Sequence, residues 1–121
     1  MIKDAKSSGF GPIHAEYGGQ ALRITEMSSS TGLVLTGEID EDTYPALVAK
    51  LNEFAVGVPE IHFDLVGLEY CDLAGLRAII RLASTGHDGH VKQVVLHDVP
   101  SRLQTVLRIV GWDSTPGLVI D

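Results

Sequence analysis

Phe63-Asp64-Leu65-Val66-Gly67-Leu68-Glu69-Tyr70-Cys71-Asp72-Leu73-Ala74-Gly75-Leu76-Arg77 reads as a buried strand, a short loop, an Asp helix cap and a helix opening on a small pair and Leu. Ile61, Phe63 and Leu65 supply the strand. Asp72 immediately precedes the apolar-periodic segment, so its carboxylate is placed to accept the amide of Ala74 or Gly75. A cap of this kind is worth roughly 1 kcal/mol. The helix dipole favours the same charge by about 0.3–1 kcal/mol. The helix then runs from Leu73 to about Ser84, with Leu76, Ile79, Ile80 and Ala83 as its buried stripe and Arg77 and Arg81 outside. Cys71 falls in the loop before the cap. A thiol near a helix N-terminus can have a lowered pKa and sense oxidants; a small, inert, buried Cys is the ordinary alternative.

Upstream of this stretch, Leu22, Ile24 and Met27 belong to a first strand, followed by the turn-rich Ser28-Ser29-Ser30-Thr31-Gly32. Leu33, Leu35, Gly37 and Ile39 alternate with Val34, Thr36 and Glu38 in a second strand, and the short connection implies an antiparallel hairpin. Asp42-Thr43-Tyr44-Pro45 opens a helix whose stripe is Leu47, Val48, Leu51, Phe54 and Ala55. Pro45 lacks an amide, which is tolerable only in the first turn. That favours Asp42 or Thr43 as the cap over Asp40. Downstream, Gly86-His87-Asp88-Gly89-His90 reads as a turn and Val91 to Leu96 as a central strand, apolar on both sides. Ser101-Arg102-Leu103-Gln104 fits a capping box for a third helix. Leu103, Val106, Leu107 and Val110 give that helix its core face, and Gly111 ends it. Leu118-Val119-Ile120 reads as a short last strand. The alternation of strands and helices predicts an α/β fold: a mixed, largely parallel sheet begun by a hairpin and covered by helices. Residues 1–20, with Ser7-Ser8-Gly9, Gly11-Pro12 and Gly18-Gly19, read as a flexible arm, and residues 21–121 as one domain.

The segment 63–77 resembles the signature of the STAS domain, the module of sulphate-transporter tails and anti-sigma-factor antagonists. There an apolar strand and short loop precede Asp-Ser-Ser/Ala-Gly-Leu. Gly37-Glu38-Ile39-Asp40 is similar to the family's Gly-Glu-Leu-Asp after its second strand, and the element order agrees over residues 20–121. The resemblance implies a protein-recognition domain that binds an anti-sigma factor of the histidine-kinase-like ATPase type and so releases a sigma factor, a partner switch in transcription regulation. It implies a partner-binding face at Gly37, Asp40, Asp72, Leu73, Ala74, Gly75 and Arg77. It also implies that the first Ser after the Asp is the regulatory phosphoacceptor. Here that position is Leu73, which has no hydroxyl, so phosphorylation cannot act there. Elsewhere in the family, phosphate at this point adds about −1.5 to −2 charge and blocks a docked partner.

Leu73 has two readings. It turns inward and fills core volume, or it projects outward as an apolar contact whose burial by a partner contributes roughly 1.5–3 kcal/mol. Its place at the helix start favours the outward reading, with Arg77 one turn later available to partner carboxylates. Gly75 permits close approach either of a partner or of its own neighbouring loop. A different function is also open: STAS domains serve as small cytoplasmic subunits of membrane transporters, including lipid-transport ATP-binding-cassette systems, where the same helix start docks on an ATPase.

Composition bounds these readings. The chain has 121 residues, enough for one sizeable core. Its net charge of −7 opposes nucleic acid and anionic membranes as partners. The lone Cys71 excludes an internal disulfide and a Cys-rich zinc site. Met1-Ile2-Lys3-Asp4-Ala5-Lys6 lacks the apolar run of a signal peptide, so a cytoplasmic location is the expectation. Asp40, Asp64 and Asp72 near strand ends raise the thought of a receiver-type Mg²⁺ site, but a hairpin comes first and the later strand is followed by His97-Asp98-Val99-Pro100 without Lys. His87 and His90 in one turn lack a third ligand, and His14, His62 and His97 are scattered, so no metal or cofactor is expected. There is no phosphate-cradling Gly-x-x-x-x-Gly-Lys-Ser/Thr and no Gly-x-Ser-x-Gly elbow. Nothing calls for an enzyme. The sequence leaves the oligomeric state open.

Overall fold

The computed structural model describes residues 21–28, 30–85 and 93–121. The expected arm 1–20, the turn 86–90 with His87 and His90, and His14 lie outside the described residues. The elements run β1 (Arg23–Glu26), β2 (Gly32–Ile39), α1 (Tyr44–Phe54), β3 (Glu60–Asp64), β4 (Leu68–Cys71), α2 (Leu73–Thr85), β5 (Gln93–His97), α3 (Ser101–Val110) and β6 (Leu118–Ile120), with a 3₁₀ turn at Trp112–Ser114 before β6. The sheet order is β1-β2-β3-β5-β6. β1 lies antiparallel to β2, and the other pairings are parallel. Every crossover steps in the same direction, so right-handed connections put α1, α2 and α3 on one face.

Alternation decides which side chains meet those helices. Leu33 and Leu35 of β2, Ile61 and Phe63 of β3, and Val94 and Leu96 of β5 are fully buried. Against them pack Leu47 and Leu51 of α1, Leu76, Ile79, Ile80 and Ala83 of α2, and Leu103 and Leu107 of α3. These are the stripes that the 3.6-residue period marks. Val110 departs from the expectation: it is exposed.

β4 stands where the sequence pattern reads as a loop. Of Leu68-Glu69-Tyr70-Cys71 only Leu68 is buried, so no alternation announces a strand. It forms because β2 has more edge than β3 uses. β3 pairs with Gly32–Val34 of β2. The chain then turns at Val66-Gly67, and β4 pairs in parallel with Gly37–Ile39, across a register shift at Gly37/Glu38. Gly37 has φ +95°, and a Cβ there would collide with the carbonyl oxygen of Ala21. Only glycine allows β2 to bend and serve both strands.

The cap of α1 falls where expected, and that of α3 one residue earlier. Thr43 occupies the cap position of α1 but makes no side-chain capping bond. The Asp40 carboxylate accepts the amides of Asp42 (3.0 Å) and Thr43 (3.1 Å) instead. The buried Thr43 hydroxyl accepts the Asp40 amide at 2.9 Å and donates to the Glu38 carbonyl at 2.9 Å. At α3, Pro100 is the cap residue and Ser101 already lies inside the helix, so no capping box forms. The Gln104 amide bonds to the Pro100 carbonyl at 3.0 Å, and its side chain reaches back to the Val99 carbonyl. Gly111, with φ +79°, ends α3 as expected.

Candidate protein-binding site

β4 delivers the chain directly into α2, and Asp72 fixes the junction. Its amide donates to the Ile39 carbonyl at 3.0 Å, tying the start of α2 to the end of β2. Its carboxylate accepts the Gly75 amide at 2.9 Å, one of the two donors expected for this cap. Gly75 is buried, and a Cβ there would collide with Cγ2 of Ile39 and sit 3.3 Å from the Asp72 carboxylate. The glycine thus serves the approach of its own neighbour, Ile39. Gly37 is likewise buried. Both shape the surface from beneath and present nothing to a partner.

Leu73, Ala74 and Arg77 lie outside, in the first turns of α2. Leu73 is 53% exposed, so the inward reading fails: a leucine stands open to solvent at the first helical position. Asp40 is half-buried, its carboxylate engaged by the start of α1. The Gly37–Asp40 corner and the start of α2 therefore meet through Ile39 and Asp72.

Cys71 settles the other way from the reactive reading. Burial, with the neighbouring Asp72 charge adding to it, pushes its thiol from 9.0 up to about 12. The proximity of a helix N-terminus is outweighed by desolvation, and the thiol is a poor nucleophile at neutral pH.

Two features went unread in the sequence. The first is a cleft of about 220 Å³ between β4 and the start of α3, lined by Leu68, Tyr70, Cys71, Pro100, Leu103 and Val106. Arg102 closes one side, donating from Nη2 to the Glu69 carbonyl at 2.6 Å. Without β4 the cleft has no wall, so no sequence signal pointed to it. The second lies on the sheet face away from the helices. His62 and His97 are joined ring to ring at 2.8 Å. His62 Nε2 also lies 2.6 Å from the Glu60 carboxylate and His97 Nδ1 2.9 Å from that of Asp121. These histidines are not scattered. They sit at outward positions of the adjacent strands β3 and β5, which parallel pairing brings together. Among the described residues no three His, Cys, Asp or Glu side chains converge on a metal position. Asp64 is engaged locally, accepting the Val66 amide at 3.0 Å.

A family model described as "Mlab, STAS domain" matches residues 22–120. The chain belongs to the STAS domain family. Solved structures agree on the fold. An anti-sigma factor antagonist from Mycobacterium paratuberculosis superposes on this STAS domain with a TM-score of 0.65 at 18% identity, covering 83% of this chain and 85% of that one. SpoIIAA, an anti-sigma factor antagonist in its unphosphorylated form, gives a TM-score of 0.52 at 16% identity, covering 82% and 87% respectively. No curated protein matches the sequence significantly. Among the described residues no helix is long and apolar enough to cross a membrane.

Proposed function

We propose that this STAS domain is a protein-binding module of the anti-sigma-factor-antagonist kind, and that it captures an anti-sigma factor of the histidine-kinase-like ATPase type through the start of α2. The observation that carries the reading is Leu73: an exposed leucine, held by the Asp72 cap where the family places its phosphoacceptor. Covering its exposed 53% with a partner contributes roughly 0.8–1.6 kcal/mol. Arg77, one turn on, offers a guanidinium to a partner carboxylate. No hydroxyl is present at position 73, so phosphate cannot break the contact there. The domain is then a constitutive antagonist or a non-switching partner in a larger complex.

A second reading takes the same surface as the docking point of a cytoplasmic STAS subunit on the ATPase of a membrane transporter, such as a lipid-transport ATP-binding-cassette system. Leu73 favours it too, since a permanent subunit contact needs no phosphoacceptor. The matching family model carries the Mlab name and not that of the antagonists.

An affinity pull-down from host extract, quantified by mass spectrometry with Leu73→Glu as control, separates the two. The first reading expects an anti-sigma factor with wild type and none with the variant. Recovery of an ATPase together with a permease replaces it with the second. Equal recovery of one partner by both proteins places the binding face elsewhere.

A further inference from the structure

The charge of this chain is unevenly spread. It carries sixteen Asp and Glu against nine Lys and Arg. Yet α2 and α3 contain four arginines, Arg77, Arg81, Arg102 and Arg108, and no carboxylate at all. All four are exposed. On α3, Arg102, Val106 and Ile109 fall at i, i+4 and i+7, one line along the helix. Arg102 and Val106 line the cleft against β4, and Ile109 beyond them is 77% exposed. Tyr70, half exposed, stands on the opposite wall. An apolar cleft thus continues into an exposed isoleucine, with arginines beside both. Glu69 is the one carboxylate residue among those lining it.

We infer that the β4/α3 cleft and the outer line of α3 form a second docking surface, separate from the start of α2, and that its occupant is an acidic segment of a partner protein bearing one or two large apolar side chains. The size argues for a side-chain anchor: about 220 Å³ falls below the range of roughly 300–1,000 Å³ typical of small-molecule sites. Interfaces concentrate their energy in such anchors, with Arg and Tyr prominent among the residues that hold them. Charge selects the partner. An acidic segment meets carboxylate-free helices here, on a chain whose net charge of −7 disfavours it overall. Arg102 is already oriented by its bond to the Glu69 carbonyl, so its guanidinium faces a partner with less ordering to do.

The test is an NMR titration of the isotope-labelled full chain with a synthetic amphipathic helical peptide, a Leu and Phe stripe flanked by Glu. Twin peptides carry Gln or Lys in place of Glu. The expected result is a shift of the Tyr70, Arg102, Val106 and Ile109 amides with the acidic peptide. Binding should be about tenfold weaker with the Gln twin and absent with the Lys twin, and it should fall with added salt. Arg102→Glu with Arg108→Glu should weaken it by about tenfold or more, in exposed positions that leave the fold intact by circular dichroism. Leu73→Glu should bind like wild type, which keeps this result independent of the partner proposed for α2. No shifts, equal shifts with all three peptides, or shifts confined to the start of α2 would overturn the inference. So would tighter competition for the same amides by phosphatidylglycerol vesicles, which would make the face a lipid surface.

Discussion

Replacing Gly75 by alanine sets two physical effects against each other with opposite signs. Helix propensity alone favours the change by about 1 kcal/mol, because alanine loses less backbone entropy than glycine. Packing opposes it. The added methyl would collide with Cγ2 of Ile39, and Cys71 Sγ and the Asp72 carboxylate stand 3.4 Å and 3.3 Å from the same point. Neither side yields easily, since Ile39 is fully buried and the Asp72 amide is bonded to the Ile39 carbonyl. Overpacking of this kind costs about 1–3 kcal/mol. The gain from propensity is reduced in the first turn, where amides lack intrahelical partners. The net expectation is a destabilisation of about 1–2 kcal/mol, read as a lower urea midpoint at unchanged slope. Ile39→Ala removes the colliding methyl. Adding Gly75→Ala to that background should therefore cost less than in wild type, with a coupling of at least about 0.5 kcal/mol. If Gly75→Ala stabilises the domain by the propensity term, the close approach of α2 to β2 is not the reason for this glycine.

Other expectations follow from the same junction. Asp72→Ala should lower stability by about 0.5–2 kcal/mol in urea melts, because the Gly75 amide loses its acceptor. Cys71 should resist alkylation at neutral pH and react only on unfolding. Its thiol, near 12 when folded and 9.0 when unfolded, retains its proton in the native state while the unfolded chain gives its proton up. Stability should thus fall as pH rises from about 9 to 12, and Cys71→Ala should remove that part of the slope. Leu73→Ser should gain one phosphate from a cognate kinase where wild type stays unmodified by intact mass; a modified wild-type Leu73 region, or an unmodified variant, would count against the lost switch.

The parts of this molecule written in local patterns were legible. Leu33, Leu35 and Ile39 alternate, and Leu76, Ile79, Ile80 and Ala83 repeat at helical spacing, so sheet and helices could be placed without coordinates. What stayed hidden depends on pairing at a distance. β4 carries a single buried residue and exists because β2 bends at Gly37 and offers spare edge. The cleft needs β4, and the His62–His97 contact needs the register of β3 on β5. The cap of α1 falls on Thr43, within the expected pair, but its amide bonds go to the Asp40 carboxylate, while the cap of α3 falls on Pro100, one residue before Ser101. At the site itself, the Asp72 cap was readable from Asp followed by an apolar-periodic run. The burial of Gly37 and Gly75 was not, because a glycine in sequence does not say from which side it is approached.

The central proposal is that the exposed Leu73 is the apolar anchor of the partner interface. Calorimetric titration of the purified chain with its recovered ATPase partner, wild type against Leu73→Ala, measures that directly. The truncation touches no core contact, so folding stability should change by no more than about 0.5 kcal/mol. With 53% of Leu73 left to cover, the anchor is worth roughly 0.8–1.6 kcal/mol, and losing it should weaken the Kd about 4- to 15-fold. An unchanged Kd with a stable variant would contradict the account and move the interface away from the start of α2.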